Sequence, residues 1–587
     1  MTTPGNNLFP SSSSALTELY RVRSKKIRDS FFVNGNGLET ARLRSALVDE
    51  VICRTYTECI SPSLSGPEDF CLVGLGGYGR KELSPHSDVD LLLLYRHRVG
   101  KPVSRDRVGE LLRNLWDLDL NLGHSVRPLA DCARYHPDNL EFSISLLDAR
   151  YLAGDRTLFA QLEAEALPRL VSRQGVKLLR NLTQLTAERH RNYEDTIYHL
   201  EPNVKSAPGG LRDFQVACWM SQILHLEDKG ILRPGTELVA RRSSKALNAQ
   251  QFLFDVRTYL HYLVGRDQNT LTYERQEELA AKAAEGNGKA IRSPEEWMRD
   301  YFRQARVVYA LLVSRREKVS TAHSSLLSRF RERRANLSLG HFEILRGKIY
   351  FPHSLSFDPE LLFELFKVVA RHGASLRPET EDWISGHLPL LNSVDRPLPD
   401  LWAHLKEVLT ARFAYNALLA MHSTGVLTAL FPEFKPIDCL VIRDFYHRYT
   451  VDEHSLLTIK HLHELGPKPE KKTRRRKATK SSAPPWEENF REIFAELERP
   501  EILLFVLLFH DIGKGIDPDR HVATGMEVVE QIMVRLQMGE EEKTLVRFLI
   551  ESHLEMSTTL MRRDFTRDEA LRQFADRVAT ADRLKML

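Results

Sequence analysis

Residues 74–95 read GLGGYGRKELSPHSDVDLLLLY, and this stretch limits what the chain can become more than any other. Two apolar runs, FCLVGL at 70–75 and VDLLLLY at 89–95, are short and bounded by turn residues, the pattern of buried strands. Between them, Gly76 and Gly77 let the backbone approach a ligand without a Cβ clash, and their N–H groups can face phosphate oxygens. Arg80 adds a permanent positive charge. Asp88 and Asp90 stand two apart on a strand, so they share one face while Val89 points the other way. Paired carboxylates aimed at such a turn are hard ligands for Mg²⁺, with positions left for a triphosphate and water. A plainer reading is a hairpin with two solvent-facing aspartates, which the Asp-x-Asp pair alone permits. The preceding glycines and arginine favour the phosphate site. There is no GxxxxGK[ST] P-loop, and the glycines do not introduce a βαβ unit with an acidic strand end about 20 residues on.

At 587 residues the chain exceeds a single core, so about three or four domains are expected. Apolar content of 42%, charged content of 28% and a net charge of +4 are those of an ordinary globular protein, too weakly basic to imply DNA binding. The start of the chain lacks an apolar core after a basic stretch, so it is no secretory signal. No apolar run approaches the ~20 residues that cross a bilayer. Six scattered cysteines without a CxxC pair fit reduced thiols in a cytoplasm.

Helical spacing runs from Ala15 to about Cys59, then come the two strands, a helix at 105–118 and a strand at 121–129; everything after about Asp138 reads as helical. Pro and Gly mark joints at 201–215, 347–359 and 430–436. The Lys/Arg-, Pro- and Ser-rich segment 466–489 reads as a disordered, solvated insertion rather than a nucleic-acid patch.

A second constellation lies further on. LLFVLLFHDIGKG (503–515) ends an apolar helical run with His510 and Asp511, preceded by His454 at a helix start and followed by His521 and His553. With 22 histidines in the chain one His-Asp pair is expected by chance, and a lone histidine is usually structural. The ordered set suits divalent metals, two of which can share a bridging Asp511 beside a phosphodiester. Lys514 either offsets phosphate charge or serves a helix end.

GGYGRKELSPHSDVDLLLL closely resembles the nucleotidyltransferase signature of the bifunctional PII uridylyltransferase/uridylyl-removing enzymes, the GlnD family, within the DNA polymerase β superfamily. The resemblance extends through LWDLDLNLGHSVRPLADC (115–132), SLLDARYLAGD (145–155) and EPNVKSAPGGLRDFQ (201–215). Lys81 stands where members commonly carry glycine. The resemblance implies that Asp88 and Asp90 are catalytic and hold Mg²⁺, and that Gly76, Gly77, Arg80 and Ser87 bind UTP. By similarity to related adenylyltransferases, Lys205, Arg212 and Asp213 would lie near the phosphates or metal; on residue chemistry alone PGGLRDFQ serves equally well as a glycine turn capping the next helix. A third carboxylate, common in this superfamily, is left open among Asp117, Asp119 and Asp148.

The histidine set resembles the HD-domain phosphohydrolase pattern, which implies Mg²⁺ or Mn²⁺ at His454, His510, Asp511, His521 and His553 and removal of UMP from modified PII. The family's further aspartate is expected beyond RLKML, Asp576 and Asp582 preceding that place. The family's ACT domains are expected to be missing, which points to a truncated product, a fragment or a shortened relative. The implied fold is multidomain α+β: a polymerase-β-like nucleotidyltransferase domain with a small mixed sheet, a helical connector and an all-α HD domain. The boundaries drawn are a disordered lead-in at 1–14, the transferase at 15–160, the connector at 161–340, a helical linker at 341–435 and the HD domain at 436–587. The implied partners are PII and UTP, in the cytoplasm, with no DNA and no membrane. Two alternatives stand beside this: transfer to another acceptor, and a regulatory binding protein with degenerate sites.

Overall fold

The computed structural model describes residues 12–60, 70–96, 105–118, 120–136, 139–240, 243–285, 293–322, 337–345, 347–351, 357–392, 400–442, 448–466, 485–556, 558 and 568–587. Two units separate by contact, Met1–Ser324 and Ser325–Leu587.

The first unit is built on a four-stranded mixed sheet in the order β3-β2-β1-β4. Strand β1 (Phe70–Gly74) runs antiparallel to β2 (Val89–Tyr95) and to β4 (Arg150–Gly154), whereas β2 runs parallel to β3 (Leu122–Pro128). A parallel pair needs a crossover, and helix Arg105–Trp116 supplies it. Every residue of β1 is buried, which is why it reads as unbroken apolar sequence rather than as an alternating one. Helix Gly37–Cys59 covers the sheet with Leu47, Val51, Ile52 and Tyr56 at helical spacing, and Tyr56 stacks on Phe70 at 6.2 Å. Its start is capped by Asn36, whose side chain accepts from the Glu39 N–H at 2.9 Å. Helices Leu167–Arg191, Leu211–Lys229, Ser244–Val264, Tyr273–Glu285 and Pro294–Ala322 complete the unit.

In the second unit one hydrophobic core joins Phe366, Leu405 and Leu418 to Phe434, Phe505, Phe509, Ile532 and Leu549. The stretches 341–435 and 436–587 therefore pack into each other rather than around separate cores. Helix Pro500–Phe509 is apolar on nearly all sides because it runs through this core.

The α+β class with a small mixed sheet matches the sequence expectation, and the described part of 436–587 is helical. Several details differ. Strand β4 lies in a stretch read as helical, as does a three-stranded antiparallel sheet of β5 (Leu337–Leu339), β6 (Phe342–Leu345) and β7 (Lys348–Tyr350). Gly340 and Gly347, at φ +59° and +70°, make its two turns, and strands of three or four residues are too short to show a period of two. The lead-in drawn to residue 14 is already helical from Ser12, and residues 1–11 fall outside the description. Of the basic insertion, residues 467–484 fall outside it, while 485–489 belong to helix Pro485–Ala495. Proline at its first position and Glu487 and Glu488 in its first turn are favourable helix starters. Among the described residues no helix is long and apolar enough to cross a membrane.

Candidate functional site

The chain leaves β1 through Leu75 and makes one helical turn over Gly76–Gly79, with Gly76 at φ +55°. It returns as β2, and the Leu75 N–H donates to the Asp90 carbonyl at 2.9 Å, closing the turn over the strand start. Asp88 is exposed and Asp90 half-buried. A Cβ on Gly76 would lie 3.1 Å from Asp90 Oδ2, and one on Gly123, its partner across β3, would lie 2.5 Å from Oδ1. The Asp90 carboxylate thus sits in a slot that only glycines leave open. Among the described residues neither Asp88 nor Asp90 has a hydrogen bond or ion pair through its side chain. Burial and the charge of Asp88 raise the Asp90 carboxyl, with Arg80 pulling it back. Two adjacent carboxylates lacking protein partners fit a divalent cation.

Arg80 is more committed than its place in the turn suggests. Its side chain is 13% exposed, Nε donates to Glu82 at 2.7 Å and Nη1 to Asp148. The edge left over, Nη2, is 3.9 Å from where a Cβ on Gly77 would be, so it looks onto the glycine turn. Burial opposes the Arg80 charge, yet Asp148 and Glu82 keep it protonated. Asp148 also accepts from Trp219 Nε1 at 2.9 Å, and burial raises it to about 6. Its Oδ2 is engaged by both Arg80 and Trp219 and its side chain is buried, which argues against it as a third metal-facing acid. Asp117 is exposed at a helix end, and Asp119 falls outside the described residues. A cavity of about 810 Å³ is lined by Arg80, Glu82 and Asp148 but by neither Asp88 nor Asp90, so it lies apart from the carboxylate edge.

The segment 203–213 folds as a glycine turn onto helix Leu211–Lys229. Asn203 Oδ1 accepts from the N–H groups of Lys205 (3.1 Å) and Ser206 (2.8 Å). Gly209, at φ +76°, packs where a Cβ would meet the Ala305 carbonyl at 2.5 Å. Asp213 is fully enclosed and takes bonds from Arg189, His190 and the Gly209 N–H. It braces the turn, and its carboxylate is closed to a metal. Lys205 pairs with Asp267 at 3.6 Å, and Ser87 is tied to Arg257 at 3.2 Å. Arg212 differs: half-buried, it meets no carboxylate at ion-pair distance among the described residues, and its guanidinium lies 5.8 Å from the Trp219 ring centre. Arg80 lies 5.8 Å from the same ring. Burial, then the charges of Arg80, Arg189 and Arg257, pull Arg212 down to about 10, with Glu141 partly offsetting them. This is a cation placed to receive an anion.

In the second unit, four helices and one turn converge. His454 lies in the first turn of helix Val451–Glu464; His510 and Asp511 follow helix Pro500–Phe509; His521 opens helix His521–Arg535; His553 closes helix Glu540–Ser552. The turn Ile512–Gly515 packs so closely that a Cβ on Gly513 would meet the His521 carbonyl at 2.1 Å. Asp511 lies 3.2 Å from His510 Nε2, 4.0 Å from His454 Nε2, 3.9 Å from His521 Nε2 and 2.8 Å from Lys514 Nζ. Two triads result, His454–His510–Asp511 and Asp511–His521–His553, each with its ligand atoms within 4.8 Å of one another.

Hydrogen bonding sets the tautomers. Nδ1 of His510, His521 and His553 contacts the carbonyls of Leu507, Pro518 and Ile550 at 3.0, 3.0 and 2.7 Å. Nδ1 is then the donor and Nε2 carries the lone pair. Nε2 of His521 and of His553 is buried without a hydrogen-bond partner. Burial pushes His553 down to about 4, keeping it neutral, while His510 and Lys514 outweigh burial to hold Asp511 well below the usual carboxylate range. Imidazole nitrogens gathered around one shared carboxylate fit a pair of divalent metals. Asp576 and Asp582 are exposed and lie outside both triads.

Sequence reasoning assigned no role to Glu82 and Gly123, although both lie inside quoted motifs, and missed Trp219 and Arg257, which only folding brings near the turn. Comparison with known proteins adds an independent finding. Residues 177–313 match the family model for GlnD PII-uridylyltransferase, and residues 451–587 match that for the HD domain. The chain is 30% identical over 568 residues to the bifunctional uridylyltransferase/uridylyl-removing enzyme of Rhodospirillum rubrum, covering 94% of this chain and 58% of that protein. The proteins of the same name from Cereibacter sphaeroides and Nitrosococcus oceani are each 30% identical, covering 98% and 96% of this chain and 60% and 61% of their own lengths. The chain thus spans about three fifths of the length of these curated relatives.

Proposed function

We propose that this chain, which belongs through residues 177–313 to the GlnD PII-uridylyltransferase family and through residues 451–587 to the HD-domain family, attaches UMP from UTP to a tyrosine of a PII protein and removes it again. The observation that supports the transfer best is a pair of carboxylates, Asp88 and Asp90, without side-chain partners among the described residues, with Arg212, which meets no carboxylate at ion-pair distance among them, near enough to act on the charge of Asp90. Asp88 and Asp90 would hold Mg²⁺, which supplies Lewis acidity and charge neutralisation for the triphosphate. The N–H groups of Gly76 and Gly77, with Arg80 Nη2 behind them and Ser87 alongside, orient the phosphates. Arg212, with Lys205, stabilises charge growing on the pyrophosphate as the tyrosine hydroxyl attacks the α-phosphorus. Asp213 acts through the turn that carries Arg212.

For removal, His454, His510, Asp511, His521 and His553 would hold Mg²⁺ or Mn²⁺, which activates water against the tyrosyl phosphodiester. Lys514, anchored on Asp511, offsets phosphate charge. The boundaries 15–160, 161–340, 341–435 and 436–587 stand as proposed functional segments. The six cysteines are all free thiols, which supports a reducing, cytoplasmic setting.

The test is incubation of the full chain with purified PII, Mg²⁺ and labelled UTP or ATP, followed by mass analysis of PII. A gain of uridylyl mass that disappears in Asp90→Asn is expected. No gain, or an equal gain in the variant, would overturn the assignment.

A further inference from the structure

The second unit holds a cavity of about 640 Å³ lined by Arg412, Tyr415, Lys460, His463, Arg491 and Phe494, with Leu504 on its apolar side. Lys460 and His463 stand six and nine residues beyond His454 on one helix, about 240° and 180° around its axis at 100° per residue. The cavity therefore lies on a different side of that helix from the metal-ligating cluster. Its charges are not balanced. Arg491 is engaged by Glu487 (2.8 Å) and the Leu465 carbonyl (3.0 Å), and the one acid of the lining, Glu464, lies 3.3 Å from His461. Arg412 and Lys460 meet no carboxylate at ion-pair distance among the described residues. Their ring partners are Phe413, 5.2 Å from the Arg412 guanidinium, and Tyr415, 5.3 Å from Lys460 Nζ.

Two unneutralised cations beside aromatic walls suit a ligand that is anionic at one end and flat at the other. A bare inorganic anion would leave the rings of Tyr415 and Phe494 unused, and an apolar ligand would leave the cations unanswered. His463 donates from Nε2 to the Leu409 carbonyl at 2.8 Å, so Nδ1 remains an acceptor for a ribose hydroxyl or a base N–H. We infer that this cavity binds a mononucleotide, its phosphate between Arg412 and Lys460 and its base against Tyr415 and Phe494. Stacking does not read base identity, so the site accepts pyrimidine and purine alike. The inference goes beyond the transfer and removal of UMP and does not rest on either.

The experiment is calorimetric titration of the full chain in EDTA, where the metal-dependent sites are silent, with UMP, AMP, ribose 5-phosphate and inorganic phosphate. UMP and AMP should bind within about threefold of each other and at least about tenfold more tightly than the two probes lacking a base. Arg412→Gln with Lys460→Gln should weaken UMP at least about tenfold, whereas Arg212→Gln should leave it unchanged. Arg412 is exposed, so the single Arg412→Gln variant, expected to show part of the loss, serves if the double variant melts early. Binding insensitive to Arg412→Gln, abolished by Arg212→Gln, or equally strong for inorganic phosphate would overturn the inference. None of these outcomes bears on whether the unsubstituted chain adds uridylyl mass to PII, so failure here and failure of the transfer assignment are distinguishable.

Discussion

Asp90 shows how much a single carboxylate depends on what is not beside it. Glycines at 76 and 123 leave its two oxygens clear, and no side-chain or backbone donor among the described residues competes for them. Asp90→Asn keeps the shape and loses the charge, and transfer from UTP should fall at least about 10³-fold, measured as initial rate at saturating Mg²⁺. Trp219 makes a different prediction, because its contacts are with Arg80, Arg212 and Asp148. Its ring lies 5.8 Å from both Arg80 and Arg212, and its N–H holds Asp148. Trp219→Phe retains a ring but removes one bond to a buried carboxylate, about 1–3 kcal/mol; KM for UTP should rise about tenfold while kcat changes less. A merely destabilised protein would instead lose active fraction at constant KM. In the second unit the buried Nε2 atoms of His521 and His553 should make metal visible as stability. Adding Mn²⁺ to chelated protein should raise a thermal transition by several degrees, and His553→Ala should remove that rise.

At the scale of elements, β3 supplies a slot rather than a ligand. Gly123→Ala introduces a methyl 2.5 Å from Asp90 Oδ1 and must push that carboxylate aside. Transfer should fall about 10²-fold with the circular dichroism spectrum unchanged, since a displacement of about 1 Å at a reacting group has that effect. The helix pair Gly37–Cys59 and Ser244–Val264 carries a pH signature. Asp255 accepts from the Gly37 N–H and from Gln251, both at 2.6 Å, and burial raises its carboxyl to about 6. Its folded pKa lies above the unfolded value, so the stabilisation is full below about pH 4 and is lost as pH rises to about 6. On the order of 2 kcal/mol of first-unit stability should vanish over that window. Asp255→Asn keeps the acceptor and should flatten the profile in thermal melts. Legibility at this scale followed length. The five- and seven-residue apolar runs of β1 and β2 stood out, whereas β5–β7 were hidden among helices because three or four residues cannot display a period.

For the whole molecule, the two proposed chemistries are assigned to different units, Met1–Ser324 and Ser325–Leu587. Sites in separate units with no shared partners act additively, so Asp90→Asn should abolish transfer and leave removal of UMP within about twofold, and Asp511→Asn should do the reverse. Both rates are to be measured on one preparation of each variant. The candidate ligands Asp88, Asp90, His454, His510, Asp511, His521 and His553 were singled out from the sequence because metal chemistry restricts residue type, and the structure brings the four histidines and Asp511 into two triads. Sequence alone also settled the α+β class, since strand-length apolar runs and helical periodicity are properties of the local chain. Tertiary structure decided which charges have partners: it closed Asp148 onto Arg80, enclosed Asp213 and left Arg212 beside the Trp219 ring with no carboxylate at ion-pair distance among the described residues. The reason is physical: the worth of a charge is set by burial and by neighbours within a few ångströms, and residues as far apart in the chain as 80, 148 and 219 become neighbours only when the sheet and helices pack.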